Sequence, residues 1–271
     1  MSLKSFSLIC TDSLEREARL CIYAIRKIYD IPIVVGCDPV TKTKIDSENF
    51  KDVETFPLIT NENLKIYKSY NYPQPVKGSH HNAEIIAMKM DVLARAIREH
   101  GNTLFIDSDV LILKEIHHAI WWGGDCMLSP HYYGYDRQKS CENYGIYNAG
   151  YLWANTTDVA DRWREIYLYR SKFLEQEGMV WLNQYFDVGH FSRGHNIGFW
   201  RMHVQQKKYT GKVIAKLELQ PEYILSLHAR IVDHTLANGG WVLELQELFK
   251  EKIIRYLPTE LLRYHEYLEK N

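Results

Sequence analysis

The sequence predicts a single α/β domain in which a mostly parallel sheet is flanked by helices. Apolar runs of strand length alternate with segments of helical periodicity, which is typical of this class. At 271 residues the chain is long enough for one large domain. The pattern becomes mixed toward the C-terminus, so we expect an irregular α+β portion that completes the domain. Residues 1–113 and 114–271 are the two expected halves of this domain.

The first forty residues predict a strand, a helix and a second strand. The apolar run "FSLIC" is followed by Asp12 and Glu15, whose spacing is that of a capping box at the start of a helix. Apolar residues then recur at helical spacing as far as Ile28. The run "IPIVVGC" at 31–37 is continuous and β-branched, which indicates a strand covered on both faces.

The middle of the chain predicts a long loop, a helix and a buried strand. Residues 60–82 are rich in Asn, Pro, Gly and Ser, and loops of this length are usually functional or disordered. A helix is predicted from 82 to 100, with Gly101 as its C-cap glycine. The strand "TLFID" then ends at Asp107. The remaining predicted elements are strands near 126–129, 146–154, 213–219 and 223–228, a helix at 158–177, and helical structure from 241 to the end, interrupted at Pro258.

Composition and charge exclude several classes of protein. A net charge of -1 and a pI near 6.9 show no basic excess, so we expect no nucleic-acid partner. The five cysteines have no C-x-x-C spacing, which is typical of reduced thiols in a cytoplasmic protein. No run approaches the ~20 apolar residues that span a bilayer. We therefore expect no transmembrane segment, and leave peripheral attachment to a membrane open.

The pair Asp107 and Asp109 carries the strongest chemical signal in the sequence. In an extended segment, residues i and i+2 point to the same side, and two carboxylates placed so need a cation or a proton between them. Mg²⁺ and Mn²⁺ bind carboxylate oxygens and keep positions open for phosphates. The alternative is an exposed turn, but the flanks "TLFI" and "VLIL" are strongly apolar. The pair therefore predicts a metal site at the carboxyl edge of the sheet, where ligands bind.

The segment "TLFIDSDVLIL" resembles the D-x-D region of GT-A fold glycosyltransferases, most of all the group that contains glycogenin and the bacterial lipopolysaccharide sugar transferases. Three further stretches resemble this family in the expected order: "YNAGYLWANT", "WLNQYF" and "ILSLHARI". The resemblance covers roughly residues 5–235. It implies a GT-A, Rossmann-like fold, with 1–113 as the nucleotide-binding half and 114–271 as the acceptor half with the C-terminal helices.

The resemblance also implies a set of site residues. Asp107, Asp109 and His228 would bind the metal, and the imidazole makes Mn²⁺ a better fit than Mg²⁺. Lys89 would face the donor phosphates. The other implied residues of the donor and substrate site are Thr11, Asp107, Asn148, Gly150, Asn183, Asn196 and Trp200. His228 as a core histidine and Lys89 as a solvated helix residue are the alternatives.

One departure from the family concerns the catalytic residues. The family usually has an Asp-Gln pair where this sequence has Asn183-Gln184, and an amide cannot act as a base or nucleophile. Gln184 and Asp187 are therefore the expected catalytic residues, with Asp187 standing in for the missing carboxylate. Asp136 is a further candidate for a base if the reaction inverts configuration.

The implied function is transfer of a sugar from a nucleotide-diphosphate-sugar, with UDP favoured over GDP, to an unknown glycan, lipid or protein acceptor. Retention is expected because the enzymes it resembles retain configuration. Two alternatives stay open, namely an inactive nucleotide-sugar-binding protein of the same fold and a sugar-phosphate nucleotidyltransferase. The latter needs a glycine-rich loop after the first strand, whereas "CTDSLERE" has no glycine. A D-x-D-x-T phosphatase is disfavoured because Leu111 replaces the Thr.

Overall fold

A computed structural model describes most of the chain, in two compact units. The described residues are 2–70, 83–117, 124–131, 145–171, 175–198, 224–228, 231–232, 254 and 257–270. The first unit consists of the described residues within Met1–Asp12, Ile31–Asp107 and His118–Phe191. The second consists of those within Ser13–Asp30, Ser108–His117 and Ser192–Asn271. That the chain forms one domain with the halves 1–113 and 114–271 stays a prediction.

The elements of both units are numbered in chain order. The strands are β1 (Ser5–Cys10), β2 (Ile33–Cys37), β3 (Val53–Pro57), β4 (Thr103–Ile106), β5 (Val110–Ile112), β6 (Cys126–Pro130), β7 (Tyr147–Ala154), β8 (Val188–His190), β9 (Ile197–Gly198) and β10 (Ser226–His228). The α-helices are α1 (Glu15–Arg26), α2 (Pro39–Ser47), α3 (Asn61–Lys68), α4 (Ala83–His100), α5 (Thr157–Tyr169), α6 (Glu175–Leu182) and α7 (Thr259–Lys270).

The first unit is built on a seven-stranded sheet with the order β3-β2-β1-β4-β7-β6-β8. Strand β7 runs antiparallel to its neighbours β4 and β6, and every other pairing in the sheet is parallel. Every residue of β1, β2 and β4 is buried, as a strand covered on both faces requires. The predicted α/β class, with its mostly parallel sheet, is therefore confirmed.

Helix α4 packs against the sheet through the face that the sequence predicts. Ile86, Met90 and Leu93 are buried among the core residues of this unit. The helix ends at Gly101, whose φ of 98° is the left-handed conformation expected at a C-cap glycine. The Gly101 N–H donates to the Ile97 carbonyl at 2.9 Å. The conformation of Gly101 and this hydrogen bond thus fix where α4 ends and the chain turns toward β4.

Two predicted elements differ from the structure. The segment 60–82 was expected to be a loop, but it begins with α3, which the Thr60 hydroxyl caps by accepting from Asn63 N–H. Helix α3 has one buried residue, Tyr67, so it shows no apolar period. The prediction of a single helix at 158–177 is wrong. Helix α5 ends at Tyr169, and a second helix, α6, begins at Glu175. Gly178 of α6 lies close to α5 there, since a Cβ on it would sit 3.3 Å from Ile166 Cγ2.

The second unit contains the three-stranded sheet β5-β10-β9 together with α1 and α7. Helix α1 packs against β5 and α7, and Leu20, Leu111 and Leu227 are part of their shared core. The predicted capping box is wrong, because the N-cap of α1 is Leu14 and makes no side-chain cap hydrogen bond. Asp12 instead pairs with Lys44 at 2.8 Å, within the first unit.

The C-terminal predictions are tested only in part. Strand β10 and helix α7 confirm the strand predicted at 223–228 and the helical structure predicted after Pro258. The strand predicted at 213–219 lies outside the described residues, as does most of 241–256. Among the helices that the structure describes, none is long and apolar enough to cross a bilayer.

The packing of β2 on α4 leads to a prediction about stability. A Cβ on Gly36 would lie 2.5 Å from Val92 Cγ2 and 3.0 Å from Leu58 Cδ2. Val92 is a β-branched residue of α4, so its side chain cannot rotate away from the added methyl group. We therefore expect Gly36→Ala to lower the free energy of unfolding by about 1–3 kcal/mol. Chemical denaturation measures this. In a Val92→Ala background the same substitution should cost little, and an equal cost in both backgrounds would contradict the packing argument.

Candidate metal centre

Strand β4 delivers Asp107 to the carboxyl edge of the main sheet. The strand pairs antiparallel with β7, and Ile106 lies opposite Tyr151. One residue further, the Asp107 N–H donates to the Gly150 carbonyl at 3.0 Å. The strand itself is buried throughout, while the Asp107 side chain is partly exposed. The backbone of Asp107 is therefore fixed by the sheet and its carboxylate faces away from the core.

Lys89 of α4 compensates the charge of Asp107. Its Nζ lies 2.8 Å from Asp107 Oδ1 and 3.1 Å from Glu175 Oε1. Its side chain is 13% exposed, and the ammonium is 5.9 Å from the centre of the Phe105 ring. Burial by itself lowers the pKa of Lys89, but the two carboxylates outweigh it and hold the pKa above its ordinary value. Lys89 is therefore a fixed positive charge at the edge of the sheet.

Glu175 is a site residue that the sequence did not indicate. Its side chain is 6% exposed, and Trp163 Nε1–H donates to its backbone carbonyl at 2.9 Å. One carboxylate oxygen binds Lys89, whereas the other is buried and has no hydrogen-bond partner among the described residues. A signal was present, because Glu175-Gln176 is itself a carboxylate-amide pair. This pair lies inside the helix predicted at 158–177, where charged and amide side chains are expected on the exposed face.

The first turn of α6 lies against the chain that enters β7. Gln176 Oε1 is 3.0 Å from His131 Nε2. Gly145 has a φ of 82°, and a Cβ on it would lie 2.8 Å from the Gln176 carbonyl oxygen. Only glycine allows this backbone approach together with this conformation. The segments that carry Glu175 and Asn148 are thus in direct contact.

Asp109 and His228 face each other in the second unit. Strand β10 pairs with β5 so that His228 lies opposite Val110, one residue after Asp109. His228 Nε2 is 3.1 Å from Asp109 Oδ1, and His228 Nδ1 is 2.8 Å from Asn196 Oδ1. An amide oxygen only accepts, so the imidazole donates its Nδ1 proton to Asn196. His228 Nε2 then faces the Asp109 carboxylate.

This arrangement suits a divalent cation. Asp109 and His228 of the second unit each offer one ligand atom, and Asp107, two residues before Asp109 in the chain, is the third residue predicted as a ligand. A carboxylate and an imidazole nitrogen that face each other at hydrogen-bond distance share either a proton or a metal ion. A metal-binding histidine whose other nitrogen donates to a fixed oxygen is the usual arrangement. The residues that the sequence predicts as metal ligands therefore fit a divalent metal, and two carboxylates with one imidazole suit Mn²⁺.

Asn196 has a supporting position in the structure. Its side chain is fully buried behind His228, and its N–H donates to Ser226 Oγ at 2.9 Å. Its φ of 55° is left-handed, a conformation that Asn tolerates better than most residues. The structure places the Asn196 side chain against the imidazole of His228, and its contact with the donor stays a prediction.

A second group, Glu54, Glu99 and His100, also meets the distance requirement for a metal. Its carboxylates are exposed, and Glu99 is already paired with Arg95 at 2.9 Å. Exposed acidic groups of this kind are common without a metal. The centre built on Asp107 is the better candidate because buried elements position each of its ligands.

Three of the other predicted donor residues, Thr11, Asn148 and Gly150, lie at the same edge of the main sheet as Asp107. Thr11 follows β1, which runs parallel to β4. Asn148 is buried, and its Oδ1 accepts from Gly150 N–H at 2.9 Å. Asn183 is exposed after α6 and donates to the Tyr147 hydroxyl at 3.2 Å. Trp200 and Asp136 lie outside the described residues.

The predicted catalytic residues are not brought to the metal centre. Gln184 is exposed in the turn after α6. Asp187 precedes β8, and its carbonyl accepts from the N–H of Asp125, just before β6. The start of β6 pairs with the end of β7, which pairs with Thr103 at the start of β4. Asp187 thus lies at the opposite edge of the sheet, ~13 Å from Asp107 along the strands and three strand spacings, or ~14 Å, across the sheet. It is too far from Asp107 to supply the missing carboxylate there.

The support of His228 by Asn196 gives a prediction for metal affinity. We expect Asn196→Ala to weaken Mn²⁺ binding by about 10–100-fold, because the imidazole loses the acceptor that fixes its orientation. Asn196→Asp keeps an acceptor and should keep most of the affinity. Titration calorimetry with Mn²⁺ measures both variants.

Asn102 provides the matched control for this prediction. It is another buried asparagine, and its Oδ1 accepts from Trp153 Nε1–H at 3.1 Å. Asn102→Ala should lower stability and leave the Mn²⁺ affinity unchanged. A folded Asn196→Ala protein that binds Mn²⁺ as the wild type does would show that Asn196 has no role in the centre.

Comparison with known proteins finds structural likeness without sequence likeness. No protein-family model matches the sequence, and no curated protein sequence matches it. The fold is similar to that of mouse xyloside xylosyltransferase 1, with a TM-score of 0.53 and 10% identity over 84% of this chain and 98% of that one. It is also similar to the galactosyltransferase LgtC, solved with donor and acceptor sugar analogues, with a TM-score of 0.57 and 12% identity over 96% and 99%.

A third similar structure is the glycosyltransferase GlyE of Streptococcus pneumoniae TIGR4. The TM-score is 0.54 and the identity 13%, and the likeness covers all of this chain and 64% of GlyE. Likeness at these identities concerns the fold. Together with the mostly parallel sheet and the acidic pair at its carboxyl edge, it shows that this chain has the GT-A glycosyltransferase fold.

Proposed function

We propose that this protein is a metal-dependent glycosyltransferase that moves a sugar from a nucleotide-diphosphate-sugar to an acceptor. The observation that carries the proposal is the facing pair of Asp109 and His228 in a GT-A fold, with Asp107 two residues before Asp109 in the chain. A divalent cation held there supplies a positive charge that stabilises a departing nucleoside diphosphate. Mn²⁺ is the metal we expect.

Lys89 supports the same assignment from the first unit. Its ammonium is held at the edge of the sheet by Asp107 and Glu175 and is largely shielded from water. A fixed cation there attracts the phosphate groups of a donor and stabilises negative charge that develops on them. Holding the diphosphate in one position also orients the sugar relative to the acceptor hydroxyl.

Glu175 and Gly150 would form the sugar side of the site. The second carboxylate oxygen of Glu175 is buried without a partner among the described residues, which is costly unless a donor reaches it. A sugar hydroxyl is such a donor. Gly150 lies directly beside Asp107 and has no side chain, so a ligand can approach its backbone closely.

The finer assignments follow from the same residues. We propose retention of configuration, since Asp187, a candidate for the base of an inverting reaction, lies at the far edge of the sheet. UDP remains the favoured nucleotide, and the acceptor is a glycan, a lipid or a protein. The four described cysteines are free and buried, which supports a reducing, cytoplasmic setting.

A nucleotidyltransferase is less well supported. Its glycine-rich phosphate loop would follow β1, whereas the chain continues from Thr11 into a short 3₁₀ turn, Asp12–Leu14, and then into α1. This segment has no glycine. A binding protein without turnover keeps the same metal centre, so experiment must separate it from an enzyme.

Thermal stability with Mn²⁺ and a panel of nucleoside diphosphates tests the binding site. One nucleotide should raise the melting temperature by roughly 5–10 °C at 100 times its Kd, and only with Mn²⁺ present. Asp109→Ala should lose this shift, because it removes a metal ligand. Asp161→Asn, which neutralises an exposed carboxylate on α5, should keep it. No shift with any nucleotide would refute the proposed donor site.

Release of free nucleotide from the matching nucleotide-sugar then separates an enzyme from a binding protein. Slow hydrolysis in the absence of an acceptor, dependent on Mn²⁺ and lost in Asp109→Ala, is the expected result. Binding without any release, with a panel of sugar acceptors added, would favour the inactive binding protein.

A further inference from the structure

Lys89 and a divalent metal share one carboxylate. The ammonium of Lys89 lies 2.8 Å from Asp107 Oδ1, and Asp107 is also a ligand in the proposed metal centre. Glu175 holds the same ammonium from a different element, at 3.1 Å. The three side chains therefore form a row of alternating charge, carboxylate, ammonium and carboxylate, that ends at the metal centre.

The charges in this row are poorly screened. The side chains of Lys89 and Glu175 are 13% and 6% exposed, and the Phe105 ring lies beside the ammonium. Unit charges that are withdrawn from water act on their neighbours several times more strongly than exposed ones, and salt screens them less. Each of the two charges must therefore affect the free energy of placing a cation on Asp107.

We propose that Lys89 and Glu175 set the metal affinity of the centre in opposite directions. Lys89 weakens the binding of a divalent cation, because it repels the ion and competes for Asp107. Glu175 strengthens it, because it adds negative charge and draws the ammonium away from Asp107. The inference deepens the proposed function and rests on its metal centre.

The arrangement has a consequence for the order of binding. With a metal in place, the ammonium leaves surplus positive charge beside it, and a diphosphate relieves the repulsion between the two cations. Metal and diphosphate then strengthen each other's binding, and the coupling is reciprocal. Lys89 thus makes tight metal binding dependent on a phosphate ligand.

The test measures Mn²⁺ affinity by titration calorimetry without nucleotide, in isosteric variants. Lys89→Met should bind Mn²⁺ at least ~10-fold more tightly, and Glu175→Gln at least ~10-fold more weakly, because one unit charge ~5 Å from a divalent ion has about this effect even at the dielectric constant of water. The double variant removes one charge of each sign and should return close to the wild-type affinity. Asp91→Asn is the matched control, since it breaks another ion pair of α4, with Arg164, and should leave the affinity unchanged.

Inorganic pyrophosphate provides a second measurement. It should raise the Mn²⁺ affinity of the wild-type protein more than that of Lys89→Met, because the variant has no second cation to compensate. A purely structural role for Lys89 and Glu175 predicts a different result. Both single variants would then bind Mn²⁺ more weakly, and the double variant most weakly of all.

The outcomes separate this inference from the proposed function. Wild-type Mn²⁺ binding that Asp109→Ala abolishes, with opposite changes in the two single variants, supports both. If the wild-type protein binds Mn²⁺ in this way, but the affinities of Lys89→Met and Glu175→Gln both rise, both fall or stay unchanged, only the roles of Lys89 and Glu175 are overturned. No Mn²⁺ binding by the wild-type protein, with or without pyrophosphate, overturns the metal centre and this inference with it.

Discussion

The ion pair between Lys89 and Asp107 is the interaction on which the proposed site depends. A strand that is buried along its whole length ends in a carboxylate, and an acid at that position needs a nearby positive charge. Lys89 provides this charge from the helix that covers the strand, and Glu175 keeps it in place. The fold therefore places the Asp107 carboxylate beside a compensating positive charge at the edge of the sheet.

In the second unit, a hydrogen bond and not an ion pair positions the candidate metal ligand. His228 is fixed by a hydrogen bond to Asn196, which in turn is held by Ser226 on the same strand as His228. A hydrogen bond to an amide fixes the orientation of the imidazole, whereas in the first unit an ion pair fixes the carboxylate. Both devices lower the reorganisation that a bound ion would demand of its ligands.

Those parts of the fold that depend on local pattern could be predicted from the sequence. Strands β1, β2 and β4 and helix α4 are apolar runs or periodic segments that are fully buried, so their pattern is unambiguous. Helix α3 could not be predicted because its face is polar. The break between α5 and α6 was missed because both helices continue the same composition, and close packing at Gly178 determines where α6 lies.

The site residues also divide into those that the local sequence indicates and those that depend on contacts between distant parts of the chain. Asp107 and Asp109 were found because their spacing and their flanks are local. Glu175 was not found, since its contact with Lys89 joins residues 86 positions apart. Asp187 looked suitable because strand direction is invisible in a sequence. Strand β7 runs against its neighbours, and only the register shows that the start of β8 lies at the far edge.

The close approach at Gly145 has a consequence for how this protein can evolve. Any side chain at that position would collide with the backbone of α6 in the turn that carries Glu175, and it would also strain its own backbone. Changes in the segment that leads to Asn148 are therefore transmitted to the residue that holds Lys89. At the proposed site, sugar preference and the charge balance of the metal centre therefore cannot be selected independently through this position. Diversification of substrates should instead accumulate in residues that do not touch Gly145 or Gln176.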